Sequence, residues 1–507
     1  MSETTAPALQ STVAGGPQHT GLALLVVVTG VMIAAVDTTI VVLALPVLER
    51  SLRVPLSGIV WVIIAYLLVV TILSTQVGRL GDMFGRVRMY ELGFGVFVLG
   101  SLLCALASGE ASIVAYRVLQ GVGGALISAN SGAVIADTFP AERRGRAYGY
   151  TSVGWSAGAV LGILLGGLIT TYVSWRWIFG INVPIGIAAI LLALRVLHDR
   201  GERHHRGIDL AGMTLLGGGL FCVLWAMTRL ATRPADAQLV GFLVVGVVLL
   251  VVFVLVERRL AEPMLDLSLF RVPTMSPTLL AALVQSLANF ATLFLVTMYL
   301  QGVRQLSPLH ASLVLVPGYL VGAFIGPLAG RVADRWGAVW PATLGLAIQC
   351  GALAVYANLG LTTPFWVVAL AAVVNGIGAG AFFPANNAAV MKAAPGRQFG
   401  VASGVLRTFA NVGMVFSFSV AILIAASSVT RGLAFAIFVG TTRLTPPLAR
   451  AFTTGVHAAF YASMAFMVCA ALLSAVRVRH QLRPRRGTSA DDDAWAGATA
   501  GKGEEHV

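Results

Sequence analysis

The sequence predicts an all-α integral membrane protein with fourteen transmembrane helices, built as two parallel six-helix halves with two helices inserted between them. Three observations carry this reading. The chain of 507 residues is 57% hydrophobic and 11% charged, whereas soluble domains average roughly 25% charged residues. Apolar segments long enough to cross a bilayer, which takes roughly 20 residues each, recur along its length. Landmarks from the first third of the chain also return in the same order in the last third.

The segments, in order, are α1 (22–46), α2 (57–77), α3 (90–108), α4 (112–136), α5 (147–170), α6 (177–197), α7 (210–230), α8 (237–256), α9 (277–301), α10 (310–330), α11 (341–360), α12 (364–390), α13 (399–425) and α14 (453–476). Glycine-rich stretches blur some boundaries, so counts of twelve or thirteen stay open. The run LAFAIFVG (433–440) is too short to span and is assigned to a long loop before α14. The first apolar run is too long for a signal peptide and lacks a basic flank, so it reads as a retained helix.

The repeat is specific. Gly78-Arg79-Leu80-Gly81-Asp82-Met83-Phe84-Gly85 returns as Gly330-Arg331-Val332-Ala333-Asp334-Arg335-Trp336-Gly337, 252 residues later. Gln120-Gly121-Val122-Gly123-Gly124-Ala125 returns as Asn375-Gly376-Ile377-Gly378-Ala379-Gly380, 255 residues later. Pro140, Gly145, Ala147 and Gly149 return as Pro395, Gly400, Ala402 and Gly404. Helices α1–α6 and α9–α14 are therefore two copies of one unit. Such parallel halves are a transporter architecture, with the substrate site at their interface near the midplane. The predicted divisions are a disordered cytoplasmic N-terminus (1–20), a first half (21–197), a linker with two inserted helices (198–256), a second half (257–476) and a basic, polar cytoplasmic tail (477–507).

A net charge of +13 invites a nucleic-acid partner, but in a membrane protein the distribution over loops is the useful quantity. With fourteen spans, 23 of the 34 basic residues fall in segments on the side of the N-terminus and 9 on the other. The bias puts both termini in the cytoplasm, and no nucleic-acid partner is expected. Cys104, Cys222, Cys350 and Cys469 stand singly in apolar segments, so neither a disulfide framework nor a metal site is expected. There is no GxxxxGK[ST] phosphate loop for an ATP-driven pump. No HExxH or nucleophile elbow in a suitable context points to an enzyme, and no cofactor is expected.

Asp37 sits in the middle of α1. A charge at that depth costs at least ~2.5–3.5 kcal/mol on insertion scales, so an intramembrane acid is a functional-site candidate. The alternative is a structural hydrogen bond to a partner helix. Arg117 opens α4 as Arg117-Val118-Leu119-Gln120-Gly121, and its repeat position is Ala372, so both halves do not need the arginine. Helical rise puts Asp37 roughly 13 Å and Arg117 roughly 9 Å from the same face, within about one turn in depth. A direct or water-bridged pair is feasible, and a carboxylate held between an arginine and apolar walls can change protonation as water access changes.

The loop GRLGDMFGRVR between α2 and α3 carries the strongest signal. Gly78, Gly81 and Gly85 allow a tight turn, and Asp82 lies near helix ends beside Arg79, Arg86 and Arg88. A carboxylate near a helix N-terminus is favoured by the dipole, and arginines can bridge it to the next helix. Such a cluster can latch the halves in one state and release them in another. This loop resembles the signature cytoplasmic loop of the major facilitator superfamily. Its second-half copy carries Gly330, Asp334 and Arg335.

Further segments resemble the fourteen-helix drug:proton antiporter branch of that superfamily. Asp37-Thr38-Thr39-Ile40-Val41-Val42-Leu43-Ala44-Leu45-Pro46 is similar to its first-helix signature, with Val42 where the branch usually has asparagine. Trp175-Arg176-Trp177-Ile178-Phe179-Gly180-Ile181-Asn182-Val183-Pro184-Ile185-Gly186 is similar to its approach to helix 6. The stripe Gly154, Gly158, Gly162 and Gly166 (with Gly167) resembles its antiporter motif but lacks the prolines; Ala159 and Ile163 follow the second and third glycines. Close helix packing survives that change and a proline-made bend does not. A role in switching and ordinary helix packing both fit such a stripe.

The resemblance implies a proton-coupled exporter of lipophilic drugs, working by alternating access in the cytoplasmic membrane of a bacterium. Export of an endogenous lipid or metabolite by the same mechanism is the alternative. Expected partners are a small lipophilic substrate, protons and the lipid bilayer, and the chain is expected to act as a monomer. Candidate cavity residues are Gln285, Asn289, Phe290, Asn386 (followed by Asn387) and Arg407; helix–helix hydrogen bonds are the other reading of the amides. Arg407 is atypical for the family, which has an uncharged polar residue there, and can line an inward cavity or snorkel. Tyr66, Phe294 and Tyr299 read as packing or lipid-facing residues, and His457 as an ordinary polar contact. As the only acid placed deep in a helix, Asp37 would let a lipophilic cation compete directly with a proton, so cationic or neutral substrates are expected.

Overall fold

A computed structural model describes residues 17–54, 56–139, 141–199, 207–230, 234–260, 263–265, 269–270, 272–393, 399–425 and 446–482. The described chain is helical throughout, with no strand. The spans run α1 Pro17–Leu52, α2 Trp61–Phe84, α3 Arg86–Ala105, α4 Glu110–Thr138, α5 Ala141–Tyr172, α6 Trp177–Val196, α7 Leu210–Leu230 and α8 Ala237–Glu257. They continue with α9 Met275–Val303, whose last turn, Met298–Val303, is a π-helix, then α10 Pro308–Trp336, α11 Val339–Tyr356, α12 Phe365–Ala393, α13 Phe399–Ala425 and α14 Pro446–Leu482. Thirteen of these are long and apolar enough to cross a membrane unbroken, and α2, bent by 55° between Ser74 and Gln76, supplies the fourteenth.

The ends differ from the sequence reading. Helix α1 already starts at Pro17, a position where the missing amide N–H of proline costs nothing, and α14 continues to Leu482 beyond its apolar stretch. Helical hydrogen bonding has no reason to stop at the edge of the hydrocarbon. The remainder of both termini and the run 433–440 lie outside the described residues.

Packing follows the repeat. In the first half α1 packs on α5, α3 on α4 and α2 on α4; in the second, α9 packs on α13, α11 on α12 and α10 on α12. The halves meet through α5 against α10 and α2 against α13, which are the same contact seen from each half. Backbone specials repeat as well. Gly85 (φ 108°) and Gly337 (φ 93°) end α2 and α10 in a conformation that residues with a Cβ rarely adopt. Arg53 and Gln305, again 252 apart, have φ of 53° and 54° and close the α1 and α9 ends. Inserted helix α7 lies against α2 and α13, at the seam of the halves, and α8 packs on α7. Val244, Val247, Val248, Val251 and Leu255 of α8 face outward, as lipid contacts do.

Candidate functional site

A cavity of ≈ 3150 Å³ lies between the halves and opens at the end carrying the two glycine–aspartate loops, where Arg79, Asp82 and Arg331 line its mouth. The opposite end is closed. There Gln301 donates from Nε2 to the Leu43 carbonyl at 3.2 Å, and the Leu309 amide donates to Thr171 Oγ1 at 3.3 Å. Gly167 lies so close to α10 that a methyl group would sit 2.9 Å from the Pro308 carbonyl oxygen. Small residues let these backbones approach, which is how membrane helices pack tightly.

Asp37 and Arg117, paired by depth in the sequence, are an ion pair at 2.7 Å, with side chains 0% and 1% exposed. Further hydrogen bonds hold the pair. Arg117 Nε donates to the Val62 carbonyl at 2.6 Å and Nη1 also to Gln120 Oε1 at 2.7 Å. Gln120 Nε2 donates to Asp37 Oδ1 at 2.9 Å and to Ser101 Oγ at 2.8 Å. The guanidinium carbon lies 4.4 Å from the Tyr66 ring centre and 5.6 Å from that of Phe179. The pair does not line the cavity; Tyr66, Thr38 and Thr39 do. Tyr66 is therefore neither a mere packing residue nor lipid-facing, because it stands between the cavity and the pair. A cation in the cavity has no contact with Asp37 in this conformation, so the direct competition expected from the sequence has no geometry here.

The glycine stripe of α5 faces α1. A methyl at Gly158 would sit 2.5 Å from the Met32 carbonyl oxygen, one at Gly162 2.8 Å from that of Val36, and one at Gly166 3.1 Å from that of Ile40; Gly154 meets Val28. Thr39, two residues after Asp37, sends its hydroxyl to the Ala159 carbonyl at 3.4 Å. The stripe thus sets the position of the helix that carries Asp37.

The first-half segment expected as a glycine turn is helical to Phe84, so Gly78 and Gly81 lie within α2. Asp82 stands in the last turn of α2 rather than at an N-terminus, and Gly85 alone makes the turn into α3. The side chains of this segment form a network. Arg86 Nη2 meets Asp82 Oδ1 at 2.8 Å and Nη1 meets Asp137 Oδ1 at 2.7 Å. Burial pushes the Asp137 carboxyl above the usual range while Arg86 pulls it back. The Val87 amide at the start of α3 donates to Asp199 Oδ1 at 2.8 Å, and Arg88 approaches Asp199 at 3.8 Å. Arg79 donates to the Gly207 and Pro263 carbonyls at 2.9 and 2.6 Å, reaching the chain on either side of the inserted pair. A methyl at Gly81 would collide with Asn130 of α4, whereas Gly78 has open space. In the second-half loop Gly330 and Arg331 line the cavity mouth and Arg335 is exposed. The Asp334 side chain lies outside the described residues.

Of the cavity candidates, Asn289, Phe290, Asn386, Asn387 and Arg407 line it. Gln285 does not: it is fully buried and donates to Gln349 Oε1 at 3.2 Å, a helix–helix bond of α9 with α11. Phe294 is packed edge-on against Phe418, Tyr299 donates to the Gly360 carbonyl at 2.6 Å, and His457 contacts the Leu359 carbonyl at 2.6 Å. Asn375 Nδ2 donates to Asn289 Oδ1 at 3.3 Å. Sequence reasoning missed Gln120, Ser101, Asp137 and Asp199 as partners. Only Gln120 left a signal, one turn after Arg117 on the same helix face.

The sequence matches the family model of the Major Facilitator Superfamily over residues 27–418. Similar proteins include the tetracenomycin C resistance and export protein of Streptomyces glaucescens, 33% identical over 77% of this chain and 73% of that protein. The drug efflux pump JefA of Mycobacterium tuberculosis is 32% identical over 76% and 77%. The riboflavin transporter RibZ of Clostridioides difficile is 29% identical over 77% and 85%. Among solved structures, an inward-facing bacterial homologue of the human lysosomal transporter Spinster superposes with a TM-score of 0.63 at 16% identity, covering 92% of this chain and 98% of that one. A D-xylose–proton symporter reaches 0.63 at 15% identity over 90% and 97%.

Proposed function

We propose that this protein, which belongs to the major facilitator superfamily, is a proton-coupled exporter of lipophilic, drug-like compounds that works by alternating access. The observation that carries the proposal is the Asp37–Arg117 pair, sealed one side chain away from a cavity open to one face. A buried ion pair is poor evidence of stability, because desolvation offsets much of the attraction. Its retention in a membrane helix points instead to a group that exchanges a proton.

With the arginine-rich loops in the cytoplasm, as loop charge favours, the conformation is inward-facing. Both termini are then cytoplasmic, and the membrane is a bacterial cytoplasmic one. Substrate enters the cavity from the cytoplasm or inner leaflet. Rocking of the halves opens the α5–α10 seam and closes the loop end. Water then reaches Asp37 from outside, the carboxyl takes a proton, and the guanidinium keeps Val62 and Gln120 as partners. Return to the inward state delivers the proton. One charge moving through the field supplies ~2.3 kcal/mol per 100 mV. One chain encloses the whole cavity, which favours a monomer.

Relatives named as drug exporters support this substrate class. A relative named as a riboflavin transporter favours a second reading, movement of a metabolite by the same mechanism. Proteoliposomes with an imposed pH gradient and no nucleotide test the coupling: uphill movement that collapses with a proton ionophore is expected, and movement indifferent to the gradient would refute it.

A further inference from the structure

We infer that Arg407 makes the cavity a site for aromatic compounds bearing one acidic group, a carboxylate or acidic phenol, and selects them over cations. The inference rests on the cavity being the substrate path. Arg407 lies on α13 roughly 12 Å from the cytoplasmic end of that helix, with its side chain exposed in the cavity. The other charged lining residues belong to the mouth: Arg79 and Asp82 at the end of α2, Arg86 at the start of α3, Glu257 and Arg258 at the end of α8, and Arg331 near the end of α10. Among the described residues Arg407 is thus the one ionic group on the deeper wall.

Its charge is not matched by the protein. Nη1 donates to the Ser128 carbonyl at 2.6 Å across the seam of the halves, and no described carboxylate forms an ion pair with it. A guanidinium carries five donors, arranged in a fork that fits a carboxylate, so donors remain for a ligand. Packing does not demand the residue either, since the repeat position 255 earlier is Ser152. A topology signal explains arginines in loops but not one more than two turns inside a helix.

The surroundings fit the same ligand. Asn289, Asn375 and Asn411 line the cavity and offer polar contacts beside Arg407. Phe290, Tyr319 and Phe409 supply aromatic walls. The carboxylate that a cation would need, Asp37, is sealed and already paired.

The test uses one fluorophore in three charge states: N-dansylglycine, its methyl ester, and a dansyl-aminoethyl-trimethylammonium cation. Equilibrium binding to the full-length protein in lipid nanodiscs is read by fluorescence with no gradient present, so a failure of proton coupling leaves the result intact. The wild type should bind the anion at least about tenfold tighter than the ester or cation, in line with the energy of a charge-assisted hydrogen bond. Arg407→Gln should lose that advantage while leaving ester binding within about twofold, Arg407→Lys should keep part of it, and Arg407→Glu should transfer the preference to the cation. Tightest wild-type binding of the cation, no binding of dansylglycine to folded protein, or an equal loss of all three ligands in Arg407→Gln would overturn the inference.

Discussion

The two halves place related polar pairs at one position and use them differently. In the first half Asp37 of α1 accepts from Gln120 of α4, with Arg117 completing the cluster, and none of the three touches the cavity. At the 252- and 255-residue offsets of the repeat stand Asn289, Asn375 and Ala372. Asn375 donates to Asn289, as Gln120 does to Asp37, yet all three second-half residues line the cavity. The positive-φ residues Arg53 and Gln305 fix the 252 offset for the first helix of each half. The charged version must be sealed and fully bonded, because an unpaired charge in apolar surroundings is costly. The neutral version can face a changing occupant. Under the proposed function the charged copy serves as the proton site and the neutral copy as a substrate wall.

The comparison is sharpest where the pair is broken. Arg117→Ala leaves a buried carboxylate without its counter-charge, and about 3–5 kcal/mol of destabilisation is expected. Thermal unfolding in detergent should fall markedly, and the double variant Asp37→Asn with Arg117→Gln should recover most of it. A single variant as stable as wild type would mean that the pair is solvated. Gly162→Leu should cost roughly 1–3 kcal/mol by overpacking α5 against α1, with loss of transport, whereas Gly149→Leu, where a Cβ meets nothing within 4 Å, should be tolerated. Equal effects at both sites would show that the stripe does not position Asp37.

The loops make a second contrast. Asp82→Asn removes one of the two carboxylates on Arg86, and turnover should slow about tenfold, the equivalent of ~1.4 kcal/mol, with substrate affinity nearly unchanged. Asp334→Asn should do less, since its loop lacks the arginines that follow Gly85. An affinity loss for Asp82→Asn with unaltered turnover would place that loop in the binding site. Smallest is Asn289→Ala, which removes an amide bond worth under ~1 kcal/mol. It should weaken binding by no more than about fivefold and leave the proton-to-substrate ratio unchanged, as a fluorescent pH indicator inside liposomes would report.

The fourteen spans, the repeat and the Asp37–Arg117 pair were legible because hydropathy, glycine spacing and helical rise are local properties of the chain. Partners contributed by distant segments were not. Asp137 and Asp199 look like ordinary loop acids until folding brings them to Arg86 and Val87. Gln285 reads like Asn289, one turn away on the same helix, yet one faces α11 and the other the cavity. Rotation of a helix by a fraction of a turn decides such cases, and an α9 that is apolar on nearly every face does not reveal it. Access to Asp37 was illegible for the same reason: depth follows from counting residues, but the shielding by Tyr66 depends on how α2 packs.

The central claim, that the first half holds the proton site and the second half a substrate wall, is tested most directly with Asp37→Asn in proteoliposomes. Two transport modes are compared: accumulation driven by an imposed pH gradient, and exchange of labelled for unlabelled substrate at equal pH. The account predicts that pH-driven accumulation is abolished while exchange persists in the folded variant, because the amide carries no titratable proton. Its oxygen can still accept from Arg117, whereas its NH2 can no longer accept from Gln120. A variant that still concentrates substrate against its gradient at the wild-type rate would contradict it.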